Sequence, residues 1–227
     1  MCGRFAQATA LEKLRELTEI SHQLHLPARY NIAPSSQVAI VRQSHNGQLE
    51  CTSMKWGLVP HWARDDAIGH KLINAKMETL LEKPSFRGPF RYRRCAIPVD
   101  GFYEWTTENK AKQPWFIRMD NDQPMLLAGL WDLWETPEQN LESFTIITRP
   151  ADSQIQPIHS RMPVLLKMNE LSVWLSRENQ KPDSLFPIME STPTLISYKV
   201  NTLVNSPRND DKTLIEPLYE GKTFKLI

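Results

Sequence analysis

The sequence predicts an α+β fold: one domain over residues 1–227, with a curved, barrel-like, mostly antiparallel β-sheet core and a few peripheral helices. Three observations lead there. Short apolar or alternating runs dominate the chain, at 37–43, 48–56, 94–99, 114–119, 125–134, 143–149 and 194–200. Helical patterns are few and separated, which excludes a βαβ repeat. The chain has 227 residues, 41% of them hydrophobic and 23% charged, enough to bury a core without a low-complexity linker.

Taken in order, Thr9-x-x-Glu12 reads as a capping box ahead of Leu11, Leu14, Leu17 and Ile20, a short amphipathic helix. Residues 37–43 and 48–56 read as strands joined at Asn46-Gly47, a hairpin turn signal. Met77, Leu80 and Leu81 recur at helical spacing over 76–83, with Asn74 as a candidate N-cap. After Pro84 the pattern becomes strand-like. Residues 94–99 lead through Asp100-Gly101 into Phe102-Tyr103-Glu104-Trp105, and 114–119 follows a polar loop. The 125–134 and 143–149 runs are apolar enough for central strands. Asn169 precedes Leu171, Val173, Trp174 and Leu175, a second capped helix. The polar, proline-containing stretch 177–193 reads as a loop, and 194–200 as a late strand.

The bulk numbers exclude several classes. No run of 18 apolar residues exists and no basic-then-apolar leader opens the chain, so no membrane span is expected and the cytoplasm is the expected compartment. Cys2, Cys51 and Cys95 are odd in number and lack a Cys-x-x-Cys pair, which argues against a disulfide framework or a metal site. Cys51 and Cys95 read as reduced core residues. No cofactor is implied, and a monomer is the default. A net charge of +1 leaves nucleic acid open, because local clustering counts for more. One cluster exists: Arg87, Arg91, Arg93 and Arg94 interleave with Phe86, Phe90 and Tyr92. It is either a phosphate-and-base surface or a solvated face beside a strand.

Cys2 carries the most distinctive chemistry. Removal of Met1 would leave a 1,2-aminothiol, whose amine condenses with an aldehyde and whose thiolate then closes a thiazolidine ring. The reference pKa values suit this near neutrality, about 7.7–8 for the amine and about 8.5 for the thiol. Arg4 is close enough in sequence to enrich the thiolate. The alternative is a small residue in a frayed tail. Three polar residues stand out in apolar runs. Asn74 is a site residue or only a cap. Glu104 is a proton-transfer group with a raised pKa, or a solvent-facing strand residue. His159 is an acid–base group, or a satisfied histidine before a turn.

Together these residues carry a resemblance. The blocks are Met1-Cys2-Gly3-Arg4-Phe5, Arg29-Tyr30-Asn31-Ile32-Ala33-Pro34, Trp56-Gly57-Leu58-Val59-Pro60, Ile73-Asn74-Ala75-Lys76-Met77-Glu78, Asp100-Gly101-Phe102-Tyr103-Glu104-Trp105 and His159-Ser160-Arg161-Met162-Pro163. In order and spacing they resemble the SOS response-associated peptidase family, which includes proteins that shield abasic sites in single-stranded DNA. The resemblance implies that Cys2 cross-links to the ring-opened sugar and that Asn74 holds the sugar or the Cys2 amine. It implies that Glu104 shuttles protons and that His159 assists at the sugar oxygen and in reversal. Arg4, Asn31, Trp62, Lys76 and Arg161 are the implied DNA-binding residues, Arg4 and Arg161 on flanking phosphates. The implied partner is single-stranded DNA containing abasic sites.

Two departures bear on affinity. Lys76 stands where the family often has arginine, a point charge in place of a bidentate fork. His61-Trp62-Ala63 offers one ring where some members have a tryptophan pair, and base stacking is worth about 1–3 kcal/mol per base. The competing functions are a thiol peptidase acting on the segment before Cys2, a protease acting on other proteins, and a non-catalytic single-strand binder. Strand cleavage by β-elimination at the imine is a further chemical possibility.

Overall fold

The computed structural model describes residues 2–20, 24, 26–121, 123–178 and 181–218. In chain order the strands and α-helices are β1 (Phe5–Gln7), α1 (Ala10–Leu17), β2 (Arg29–Ile32), β3 (Gln37–Gln43), β4 (Leu49–Trp56), β5 (Asn74–Lys76), α2 (Pro84–Tyr92) and β6 (Arg94–Val99). They continue as β7 (Gly101–Glu108), β8 (Ala111–Met119), β9 (Met125–Glu135), β10 (Asn140–Pro150), β11 (Arg161–Pro163), β12 (Leu165–Leu166), α3 (Leu171–Leu175), α4 (Phe186–Met189) and β13 (Leu195–Lys199).

Five strands close a barrel. The pairings run β4–β3, β3–β6, β6–β9 and β9–β10, all antiparallel, and β10 returns to β4 in parallel through Ser143↔Lys55 and Phe144↔Trp56. Closure removes the exposed edges an open sheet would carry. Period-two alternation sorts the side chains. Cys95, Ile97, Leu127 and Ile146 pack in one core with Trp56 and Phe144. Their neighbours Ala96, Ala128 and Ile147 pack in a second core with α2 and α3.

A second, antiparallel sheet of five strands, ordered β13-β8-β7-β1-β2, lies against the barrel. Phe5, Phe102 and Ile117 pack in the barrel's core, while Ala6, Tyr103 and Phe116 pack with Val200, Val204 and Leu214. Gly101 is where these strands come closest. A Cβ there would stand 2.5 Å from the Ile117 carbonyl oxygen and from the Phe116 ring.

The chain leaves β4 at Gly57, whose φ of +123° only glycine adopts freely. It makes an excursion over 58–72 and rejoins β10 as β5, in parallel register with Ile146↔Asn74. Trp56 ties both ends together. It is fully buried, lies 4.8 Å from Phe5 between ring centroids, and donates its Nε1–H to the Ile73 carbonyl at 3.0 Å.

Several local expectations change. Thr9 makes no side-chain cap of its own. The carboxylate of Asp100 accepts from the Thr9 N–H at 3.1 Å and from its hydroxyl at 2.5 Å, so the cap comes from a distant turn. Asn74 is a strand residue, and 77–79 is a single 3-10 turn, not a helix over 76–83. The strand-like reading after Pro84 gives way to α2, because Phe86 and Phe90 recur at helical spacing and both bury in the second core. The 168–170 turn is closed by Glu170 on the Lys167 N–H, not by Asn169. The 177–193 stretch holds α4. Cys51 and Cys95 are buried free thiols, as expected.

Candidate active site

Cys2 lies three residues before the start of β1. It is fully buried and packs among Phe5, Trp56 and Phe102, so it is not part of a frayed tail. Pairing Phe5↔Phe102 and Ala6↔Gly101 brings β7 alongside β1, and the Tyr103 N–H donates to the Arg4 carbonyl at 2.9 Å. That register sets Glu104, which continues β7, near Cys2.

Asn74 arrives from the other sheet. Its Nδ2 donates to the Cys2 carbonyl at 2.9 Å. Its Oδ1 is buried and makes no hydrogen bond among the described residues. A buried acceptor beside the Cys2 backbone is a group that an amine or a sugar hydroxyl can satisfy.

Glu104 is 3% exposed. Burial, the dominant influence, raises its carboxyl pKa above the ordinary carboxylate range, and His159 pulls in the opposite direction. Burial likewise pushes the Cys2 thiol well up, and the Glu104 charge adds to the rise. Arg4 acts on Sγ through its backbone N–H, which hydrogen-bonds the thiol and pulls modestly downward. Its guanidinium supplies no comparable help. That group donates to Asn31 Oδ1 at 2.7 Å and to the Val204 carbonyl at 3.0 Å, and stacks over Trp105. The expected enrichment of thiolate by Arg4 is therefore corrected.

His159 sits in the loop between β10 and β11. Its Nδ1 stands 2.9 Å from the Arg161 backbone nitrogen and 3.0 Å from the Arg161 carbonyl oxygen, so one residue holds this edge of the ring in either tautomer. Nε2 lies 3.9 Å from Glu104 Oε2. Cys2, Asn74, Glu104 and His159 thus come from four separate segments and converge where β1, β5, β7 and the end of β10 meet.

The expected DNA-binding residues divide. Lys76 is exposed beside Asn74, and Trp62 is 50% exposed on the 58–72 excursion. Arg161 borders the site through His159. Asn31 is not a surface residue. It is 1% exposed, and its Nδ2 donates to the carbonyls of Ser206 at 3.0 Å and Asn209 at 2.7 Å. With its Oδ1 on Arg4, Asn31 is a buried fastener for the 204–209 segment and has no face left for phosphate. Arg4 shares that duty.

The arginine–aromatic cluster divides too. Arg94 is 3% exposed and donates to the carbonyls of Trp174 at 2.6 Å, Phe90 at 2.7 Å and Arg91 at 2.7 Å. Burial pushes its pKa down to about 10. Arg93 pairs with buried Asp132 at 3.0 Å. Arg87 and Arg91 remain exposed.

Sequence reasoning assigned no role to Glu78 or Thr148. Glu78 closes the Asn74 block and pairs with Arg161. The Thr148 carbonyl accepts from the same guanidinium at 2.7 Å. Glu78's place in that block was the available signal; Thr148 had none.

Comparison with known proteins identifies the family. The chain is 40% identical over 224 residues to the abasic site processing protein YoqW of Bacillus subtilis (strain 168), covering 95% of this chain and 99% of that protein. It is 29% identical to the abasic site processing protein HMCES of Gallus gallus, covering 97% of this chain and 79% of that one. A crystal structure of a protein from Bacteroides thetaiotaomicron superposes with a TM-score of 0.83 at 26% identity, over 96% of this chain and all of that one. The family described as SOS response associated peptidase (SRAP) matches residues 1–207, and the chain belongs to that family.

Proposed function

We propose that the protein captures abasic sites in single-stranded DNA by forming a thiazolidine through Cys2 once Met1 has been removed. The observation that carries this reading is the convergence of Asn74 and the Glu104–His159 pair on Cys2. The relatives' names give the lesion class.

The chemistry balances without a cofactor or a redox change. The freed Cys2 amine adds to C1′ of the ring-opened sugar. The carbinolamine takes a proton, loses water and becomes an imine. The thiol then adds across the C=N bond, forming C–S while nitrogen takes up a proton. One water leaves overall. A carboxyl with a raised pKa can give the proton that dehydration needs and take back the thiol proton near neutrality. With a proton on Nε2, His159 is the second donor, suited to the sugar oxygen. Asn74 holds the Cys2 backbone so that amine and thiol face one carbon.

Lys76 and Arg161 are the proposed phosphate contacts and Trp62 the stacking ring, while the Arg4 guanidinium is held by Asn31 and the Val204 carbonyl. Non-covalent capture should weaken with salt, with a slope near −0.7 per phosphate neutralised on single strands. The reading puts a monomer with the DNA, in the cytoplasm and on the nucleoid in a bacterium.

A thiol peptidase draws less support. It needs a Cys–His pair, whereas the His159 ring stands against Arg161 on one edge and 3.9 Å from Glu104 on the other.

Intact mass after incubation with a single-stranded oligonucleotide carrying one abasic site tests this. A heat-stable adduct of protein lacking Met1 plus oligonucleotide minus one water, absent in Cys2→Ala, is expected. The same adduct in Cys2→Ala would move the nucleophile to another amine. No adduct with Met1 confirmed absent would reduce the protein to a binder or reopen the peptidase reading.

A further inference from the structure

Arg161 meets its anion inside the protein. Its guanidinium lies edge-on to the Glu78 carboxylate, Nη1 on Oε1 and Nη2 on Oε2, the latter at 3.0 Å. This is the two-point fork that arginine presents to carboxylate or phosphate alike. Nη2 also donates to the Thr148 carbonyl at 2.7 Å and approaches its hydroxyl at 3.3 Å. The outward face of this guanidinium is therefore already occupied.

The local backbone explains why. β5 ends at Lys76, and the 77–79 turn swings Glu78 back across β10. Thr148 pairs with Lys76 on one side and with Pro163 of β11 on the other. Arg161 and Glu78 thus meet over the same strand. The two side chains differ in exposure: Arg161 is 16% exposed and Glu78 45%. The carboxylate is the member that faces solvent and can leave. Lys76 contributes to the field around it as well: Arg161, foremost through its hydrogen bond, and Lys76 both hold Glu78 below the ordinary carboxylate range.

We propose that Glu78 is a built-in phosphate surrogate, an internal anion that a DNA phosphate must displace before Arg161 can grip the strand. The proposal rests on the abasic-site reading above and deepens it. The consequence is selectivity. Intact single strands gain little from Arg161, because each phosphate contact costs the Glu78 pair. A strand retained at Cys2 keeps its phosphate beside Arg161 long enough for the exchange. Glu78 is a positioning residue in this scheme and touches no reacting atom.

The test is affinity for an unmodified single-stranded oligonucleotide, measured by fluorescence anisotropy across a salt series. Glu78→Gln keeps the shape of the side chain and removes its charge. Exposed Glu138→Gln serves as the control for a mere change in net charge. Severalfold tighter binding by Glu78→Gln at low salt is expected, with a log–log salt slope steeper by about 0.7, one phosphate equivalent. Glu78→Asp should stay near wild type. Unchanged or weaker binding, or an equal gain in Glu138→Gln, would overturn the surrogate and leave Glu78 as a brace. Adduct formation with the abasic oligonucleotide separates the two readings. An adduct without the affinity gain sinks only the surrogate, whereas no adduct and no DNA binding in any variant sinks both.

Discussion

The Asn74 amide donates to the Cys2 carbonyl at 2.9 Å, across 72 residues of chain and between two sheets. That bond sets the Cys2 backbone against β5. Asn74→Ala removes it and leaves the Cys2 carbonyl unpaired by that donor. A displacement of about 1 Å at a reacting centre can cost on the order of 100-fold. Cross-linking to an abasic oligonucleotide should slow by about 10- to 100-fold in single-turnover gels. Stability should fall by about 1–3 kcal/mol, the cost of one buried acceptor left unpaired.

Glu104 makes stability depend on pH. Its folded pKa lies above its unfolded value because burial disfavours the charged form. The native state then binds more protons than the unfolded state, so its contribution is full below the ordinary carboxylate pKa of about 4.3 and is lost as pH rises through the raised value. Glu104→Gln removes that dependence. The difference in Tm between Glu104→Gln and wild type should grow in favour of the variant as pH rises from about 4.3 toward neutrality. A difference that is flat or shrinks over that range would contradict the assignment. Cross-linking should fall throughout.

Asn31 distinguishes a fastener from a DNA contact. Asn31→Ala takes one of its two acceptors from the Arg4 guanidinium, which keeps the Val204 carbonyl, and strands the carbonyls of Ser206 and Asn209. Each buried partner left unpaired costs about 1–3 kcal/mol. A loss of roughly 3 kcal/mol would lower Tm by about 6–12 °C for a domain of this size. Differential scanning calorimetry should show that loss, while the salt slope of DNA binding, measured well below the transition, stays at the wild-type value. A shallower slope would return Asn31 to the DNA interface.

Arg94 and Arg91 belong to one charge run and should behave oppositely. Arg94→Ala removes the donor to the Trp174, Phe90 and Arg91 carbonyls. Urea unfolding should show a loss of about 3 kcal/mol or more, in the range of broken buried networks. Exposed Arg91→Ala should stay within about 0.5 kcal/mol.

Local pattern carried much of this molecule. Alternation and apolar runs predicted β3, β4, β6 and most later strands, because a period of two reports burial directly from adjacent residues. Asn46-Gly47 marked the hairpin, and Gly47 takes the positive φ of 84° that such a turn needs. The motif blocks named Cys2, Asn74, Glu104 and His159 together. Where the reading failed, a distant partner had overruled a local cue. Asp100 took over the Thr9 cap, and burial of Phe86 and Phe90 made a helix of a run that looked extended.

By itself, then, the sequence determined the fold class, the strands of the barrel and the residues that converge around Cys2. The tertiary structure alone decided their partners. It closed the barrel through a parallel contact that no local period encodes, and it sent Arg4 to Asn31 and Arg161 to Glu78. The physical reason is range. Periodicity reports which face of an element is buried, whereas the partner of a charged or amide group is whichever element long-range packing brings within about 3 Å.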